Sequence, residues 1–154
     1  MNTRTEKAAT QYFGETARGY EARRVSQVKW QREQAILEAV IADLPEGVSV
    51  LDVPCGTGRL FKAFTLRRLH VTAIDISPDM LAEARAKAPY EWIALMQGSI
   101  FDICAAGQAF HTAFAIRIMN RISETDVPRA LAELQRVTRE RVVFNLRVDS
   151  GDSR

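Results

Sequence analysis

The sequence predicts a three-layer α/β fold, a parallel five-stranded sheet covered by helices on both faces. Three observations predict it. From Val48 onward, short β-branched and apolar runs alternate with stretches of helical periodicity. Each helical stretch is long enough for the right-handed crossover that joins parallel strands. No repeat, low-complexity tract or Pro/Gly/Ser-rich linker interrupts the 154 residues, which are therefore expected to form one domain, 1–154.

Ahead of the sheet, residues 5–44 read as two helical pieces. The second sets Ile36, Leu37, Val40, Ile41 and Leu44 at three- and four-residue spacings and stops at Pro45 and Gly47. Strands are expected over 48–53, 70–74, 92–96, 112–116 and 141–148, with helices around 59–66, 79–88 and 125–137 between them. Ser77 followed by Pro78 is a helix start with proline in the first turn, and Asp79 adds a charge that the helix dipole favours. Ser123, with Glu124 and Asp126 behind it, is expected to cap the helix that carries Ala130, Leu131, Leu134 and Val137 on one face, with Pro128 in its first turn.

Composition excludes several classes of function. With 47% hydrophobic and 26% charged residues, the chain is an ordinary globular protein. Its longest apolar runs, such as 113–116, fall far short of the ~20 residues that cross a bilayer. Cys55 and Cys104 follow no C-x-x-C spacing and no charged-then-apolar leader precedes them, so a reducing, cytoplasmic setting is expected, without a disulfide framework or a metal site. The net charge of +2 is not the concentrated positive field of a nucleic-acid binder, so nucleic acid is not an expected partner. The early basic residues Arg18, Arg23, Arg24, Lys29 and Arg32 read as a solvated face.

The most informative stretch is Ser49-Val50-Leu51-Asp52-Val53-Pro54-Cys55-Gly56-Thr57-Gly58-Arg59-Leu60, an apolar strand running into a glycine turn that opens a helix. Glycines let the backbone approach a ligand without a Cβ in the way, and the first free N–H groups of a helix favour a polar or anionic group. A dinucleotide fingerprint would need glycine where the chain has Phe61, which disfavours an NAD-binding oxidoreductase.

This turn resembles the first motif of the class I S-adenosylmethionine-dependent methyltransferases, acidic-x-Gly-x-Gly-x-Gly. Asp52, Pro54, Gly56 and Gly58 occupy its positions, with Cys55 and Thr57 between them. Pro54 departs from the motif by replacing its first glycine. The resemblance implies a Rossmann-like sheet of order 3-2-1-4-5, a core over 48–148, a helical lid over 1–44 and S-adenosyl-L-methionine as cofactor. Asp75 ends the second strand, where a carboxylate can accept from two vicinal ribose hydroxyls. By resemblance, Ile76 and Met80 flank the adenine, and Ser99 stands where an acid usually reads its amino group, beside Ile100 and with Asp102 three positions on. Ile116 and Arg117 continue the site after the fourth strand, and Arg121 stands where the family often has histidine. Either Arg117 or Arg121 could hold a carboxylate, phosphate or carbonyl of the acceptor. Tyr12 and Phe13, then Gly19-Tyr20-Glu21, resemble the lid, with Tyr20 over the methionine part.

No catalytic residue and no metal ligand set emerges. His70 and His111 read as structural, Cys55 receives no catalytic role, and no nucleophilic triad can be assembled. The expected activity is methyl transfer to a small-molecule acceptor; the alternative is a non-catalytic S-adenosylmethionine-binding protein, truncated or acting as an interaction subunit. Family members continue past the fifth strand into an antiparallel strand pair, whereas this chain stops at Arg154 after a polar tail over 149–154. The fifth strand is therefore expected to be an exposed edge through which a homodimer could form.

Overall fold

The computed structural model describes residues 4, 5, 7, 14–88 and 91–147, so Tyr12, Phe13, Val148 and the 149–154 tail lie outside the described residues. The strands are β1 (Ser49–Asp52), β2 (His70–Asp75), β3 (Ile93–Gln97), β4 (Phe110–Ala115) and β5 (Thr138–Phe144). All pair in parallel, in the order β3-β2-β1-β4-β5 implied by the resemblance. The helices are α1 (Glu15–Arg18), α2 (Val28–Ala42), α3 (Phe61–Leu66), α4 (Pro78–Arg85) and α5 (Val127–Val137).

Alternation along the central strand divides the core into two layers. Val50 and Leu51 are both fully buried but point to opposite faces. Val50 packs with Leu37, Ile41, Phe61, Phe64 and Leu81 from α2, α3 and α4. Leu51 packs with Ala130, Leu134 and Val137 from α5 and with Ile100, Ile103, Met119 and Ile122 from the loops. Helices and loops thus cover both faces, and the carboxyl ends of β1 and β4 open where the strand order reverses, the place where sheets of this kind leave a crevice.

Three expectations shift. Ile36 is 65% exposed, because the buried stripe of α2 runs Trp30, Leu37, Ile41 and on to Leu44, and Ile36 sits a residue off that line. Ser123 does not cap α5. Its carbonyl accepts the amides of Asp126 at 3.0 Å and Val127 at 3.2 Å, closing a turn ahead of the helix. Asp126 takes the N-cap position without a side-chain cap bond, and its carboxylate accepts instead from the hydroxyls of Thr5 (2.6 Å) and Ser123 (2.8 Å). β5 begins at Thr138 rather than at 141, since α5 runs into it with no loop. There Thr138 is already extended (φ −113°, ψ 135°) and its hydroxyl donates to the Leu134 carbonyl at 2.6 Å, closing the helix end. The charges of Arg139, Glu140 and Arg141 conceal that start from a pattern of apolar residues.

Other marks hold. Ser77 caps α4, its hydroxyl accepting from the Met80 amide at 3.2 Å, with Pro78 in the first turn. Arg18, Arg23, Lys29 and Arg32 are exposed, whereas Arg24 of the same basic set is half-buried over the Tyr20 ring. Among the described residues β5 pairs only with β4, and Phe144 and Leu146 are exposed beside it.

Truncating Leu134, which is fully buried between α5 and the sheet, is expected to cost about 2–5 kcal/mol. Removing the Ser77 cap should cost about 1 kcal/mol, whereas Ile36→Ala should change stability by less than about 0.5 kcal/mol. Urea denaturation of the three alanine variants checks the ranking.

Candidate functional site

The site begins at the end of β1, where the chain stays tied to its neighbours after leaving the sheet. The Val53 amide donates to the Phe114 carbonyl at 2.9 Å, and the Cys55 amide to the Ile74 carbonyl at 2.8 Å. The Val53–Pro54 peptide is cis. Gly56 and Gly58 then take left-handed conformations, φ +56° and +81°, which side chains rarely adopt. A Cβ on Gly58 would lie 2.6 Å from a ring carbon of Phe61, so this glycine serves close packing. A Cβ on Gly56 would meet nothing within 4 Å, so this glycine faces open space. The helix α3 that follows starts at Phe61 rather than at 59, and the turn borders that space together with Arg59 and Leu60 at the helix start.

One carboxylate joins the turns that follow β1 and β2. Asp75 accepts the Gly56 amide at 2.8 Å on Oδ2 and the Ser77 amide at 2.9 Å on Oδ1. Each oxygen keeps further lone-pair capacity.

The open space is a cavity of about 130 Å³ that opens to solvent. Tyr20, Asp52, Pro54, Cys55, Gly56, Thr57, Asp75, Ile76, Met80, Ser99, Ile100, Ile116 and Arg117, all singled out from the sequence, line it together. Gly58 does not, being buried behind the turn against Phe61. Asp102 is exposed and does not line the cavity, while Ser99 turns its hydroxyl to the Phe101 amide at 3.2 Å. Arg121 lines the wall beyond β4 with Ile118, Ile122 and Thr5, and its Nε donates to the Arg117 carbonyl at 2.8 Å.

Two tethers bring the N-terminal segment onto this cavity. Thr57 donates its hydroxyl to Glu21 at 2.9 Å, and Lys87 pairs with the same carboxylate. The Gly14 amide donates to Asp79 at 2.6 Å. Tyr20 is thereby carried to the wall, its ring under the Arg24 guanidinium at 4.9 Å.

A larger network, which sequence reading missed, ties α2 to the same wall. Glu33 accepts from Arg59 Nη1 at 2.9 Å and from Arg117 Nε at 2.8 Å on one oxygen, and from the Asn145 side-chain amide on the other. The Arg117 amide donates to Asn145 Oδ1 at 2.6 Å, holding Arg117 at φ +61°. Arg59 also donates from Nε to Gln34 at 2.8 Å and stacks 4.4 Å over the Trp30 ring. Its position directly after Gly58 is the only signal in the sequence; nothing there links Glu33 to it.

A family model described as a methyltransferase domain matches residues 50–141. The chain belongs to that methyltransferase family. It is 36% identical over 116 residues to the demethylmenaquinone methyltransferase of Thermobifida fusca (strain YX), covering 70% of this chain and 47% of that protein. Similarity to the malonyl-[acyl-carrier protein] O-methyltransferase of Serratia marcescens is 37% over 93 residues, 60% of this chain and 35% of that one. The chain thus spans half or less of the length of these curated relatives. A solved structure of magnesium protoporphyrin IX methyltransferase from Synechocystis PCC 6803 with bound SAM shares the fold, at a TM-score of 0.72 and 18% identity over 94% of this chain and 76% of that one.

Within this methyltransferase domain the electrostatics single out Asp52. It is 2% exposed, lines the cavity, and no described residue hydrogen-bonds to its carboxylate. Burial, then the charge of Asp75, pushes its pKa well above the usual carboxylate range, against a smaller pull from Arg59. Burial likewise raises Asp75, opposed by its amide hydrogen bonds. Cys55 offers no reactive thiolate. Burial and the charges of Asp52 and Asp75 push it up, leaving it a packing residue.

A carboxyl whose pKa is raised by folding destabilises the folded state once pH exceeds the unfolded value. Stability tied to Asp52 therefore falls as pH rises from the ordinary carboxylate range toward its own higher pKa. Asp52→Asn should accordingly stabilise the ligand-free protein at pH 7 by about 1–3 kcal/mol and flatten that pH dependence. Thermal unfolding between pH 4 and 8 tests both, and a destabilised variant would mean that the carboxylate has a partner.

Proposed function

We propose that the chain binds S-adenosyl-L-methionine in this cavity and takes part in methyl transfer to a small-molecule acceptor. The observation that carries the reading is the pair of buried carboxylates, Asp52 with no hydrogen-bond partner among the described residues and Asp75 bonded to backbone amides, on either side of an open glycine turn. The donor set suits the cofactor. Asp75 has lone pairs left for two ribose hydroxyls, Asp52 suits the amino group, and the absent Cβ of Gly56 leaves room for the chain between them. Ile76 and Met80 would flank the adenine, with Ser99 and Ile100 at its edge, while Pro54, Cys55, Thr57, Ile116 and Arg117 would complete the methionine end under Tyr20. Family membership and the named activities of the relatives support this reading.

The bound cofactor would supply a methyl group already made electrophilic by its sulfonium. The protein's part is then to position and to exclude water. Asp75 and Asp52 fix the donor, the tethers through Glu21 and Asp79 hold the N-terminal segment over it, and the apolar wall of Ile116, Ile118 and Ile122 would receive the acceptor. No nucleophile is needed. No helix of the described residues is long and apolar enough to cross a membrane, and the free thiols of Cys55 and Cys104 fit a cytoplasmic setting. The even charge balance gives no pull toward nucleic acid. The β5 edge, with Phe144 exposed, is proposed to pair with a second copy, an idea that sedimentation showing only monomer at micromolar concentrations would remove.

Isothermal titration should show saturable binding of S-adenosylmethionine and S-adenosylhomocysteine. Asp75→Asn, which keeps one acceptor oxygen but no charge, should weaken both by at least about tenfold. Absence of binding by the folded wild type would overturn the proposal.

A further inference from the structure

We infer that the outer side of α2 is a docking surface for an acidic amphipathic helix of a partner protein. The helix is apolar on two opposite sides. Trp30, Leu37 and Ile41 face the sheet and are buried, whereas Val28 and Ile36, on the other side, are 61% and 65% exposed. Val28, Arg32, Ala35 and Ala39 follow one another at spacings of four, three and four residues, with Ile36 beside them, so they share that outer side. All five are exposed. A surface helix normally turns polar side chains outward, and apolar residues on both sides call for something to pack against on each. Among the described residues nothing covers the outer side. Its alternating spacing is the seam that a second helix fits.

Charge selects the partner. Lys29 and Arg32 are both exposed along this seam, and neither has an ion-pair or hydrogen-bond partner among the described residues. Lys29 lies in the first turn of α2, which holds no acidic residue, although the helix dipole disfavours a cation there. Arg23, in the turns before the helix, adds a third exposed cation. Glu38, on the far flank, is engaged by the Gln34 side chain at 2.9 Å. An apolar seam with an unbalanced basic border is complementary to a helix with an apolar stripe and an acidic border. A second copy of this chain fits less well, because a two-fold pairing of α2 with itself brings the same patch against itself, cations included. A lipid surface also fits less well, since Trp30, the aromatic residue of α2 suited to anchor it, points inward and is 7% exposed. On its inner side α2 carries Trp30, Glu33 and Gln34, which hold Arg59 and Arg117 at the cavity wall. A partner on the outer side would therefore brace the helix against which that wall rests.

The probe is a lactam-stapled helical peptide as long as α2, with leucine at its a and d positions and glutamate elsewhere, compared by fluorescence anisotropy with a counterpart that has lysine for every glutamate. Wild type should bind the glutamate peptide saturably and the lysine peptide at least about tenfold more weakly. Ile36→Ala, which should leave the fold intact, is expected to weaken the glutamate peptide by about tenfold, and the double variant Lys29→Glu/Arg32→Glu by at least as much. Met96→Ala, at an exposed position on β3, should change nothing. No saturable binding of the glutamate peptide, equal binding of the two peptides, or binding that survives Ile36→Ala overturns the inference. Sedimentation should give wild type and Ile36→Ala the same oligomeric state; a dimer lost in the variant would assign the surface to a second copy and overturn the inference. Vesicles of phosphatidylcholine and phosphatidylglycerol should not pull the protein down, and pull-down abolished by Ile36→Ala would overturn it in favour of a membrane.

Discussion

The site depends on the hydrogen bonds through which Asp75 joins the ends of two parallel strands. Parallel pairing sets Asp52 of β1 beside Ala73 of β2, so the two strands leave the sheet side by side. Their exits must then be held against each other without a ladder. Asp75 does this with one carboxylate, accepting the Gly56 amide of the first turn and the Ser77 amide of the second. Gly56 is thereby fixed in a left-handed conformation and Ser77 is placed to cap α4. The floor of the cavity and the start of the helix that carries Met80 follow from one acidic side chain.

Around that floor the protein keeps charges that folding alone would not favour. Among the described residues, Asp52 is buried without a hydrogen-bond partner and Arg59 holds one nitrogen without an acceptor. By contrast, Glu33 shows what a compensated charge looks like in the same region. Burial pushes its carboxyl up, but the hydrogen bonds and charges of Arg117 and Arg59 bring it below the usual range. Uncompensated groups gathered at one cavity are the mark of a site preorganised for a polar ligand, with the cost in stability carried by the surrounding core. The paired layers around Val50 and Leu51 supply that core.

The fold was legible because its signals are local. Strand and helix alternate with the right periods, Ser77-Pro78 marks a helix start, and the glycine turn announces the crevice. The cavity-lining residues next to those marks, from Asp52 to Thr57 and from Asp75 to Met80, were legible for the same reason. What failed was either masked by charge or set by distant contacts. The start of β5 hides under Arg139, Glu140 and Arg141, and Ser123 loses its capping role to a turn whose partner, Thr5, lies over a hundred residues away in sequence. The Glu33 network joins α2, the glycine turn, the loop after β4 and Asn145, four places that no periodicity connects. Sequence reading placed Arg117 in the site but could not see that Glu33 already holds it.

The most direct measurement is a crystal structure of the protein grown with saturating S-adenosylhomocysteine. The ligand should lie along the carboxyl ends of β1 and β2, its ribose hydroxyls within hydrogen-bonding distance of Asp75 and its amino-acid end at the glycine turn beside Asp52. Ligand density elsewhere, or Asp75 still bonded only to its two amides with the cavity filled by solvent, would contradict the assignment of this cavity to the cofactor.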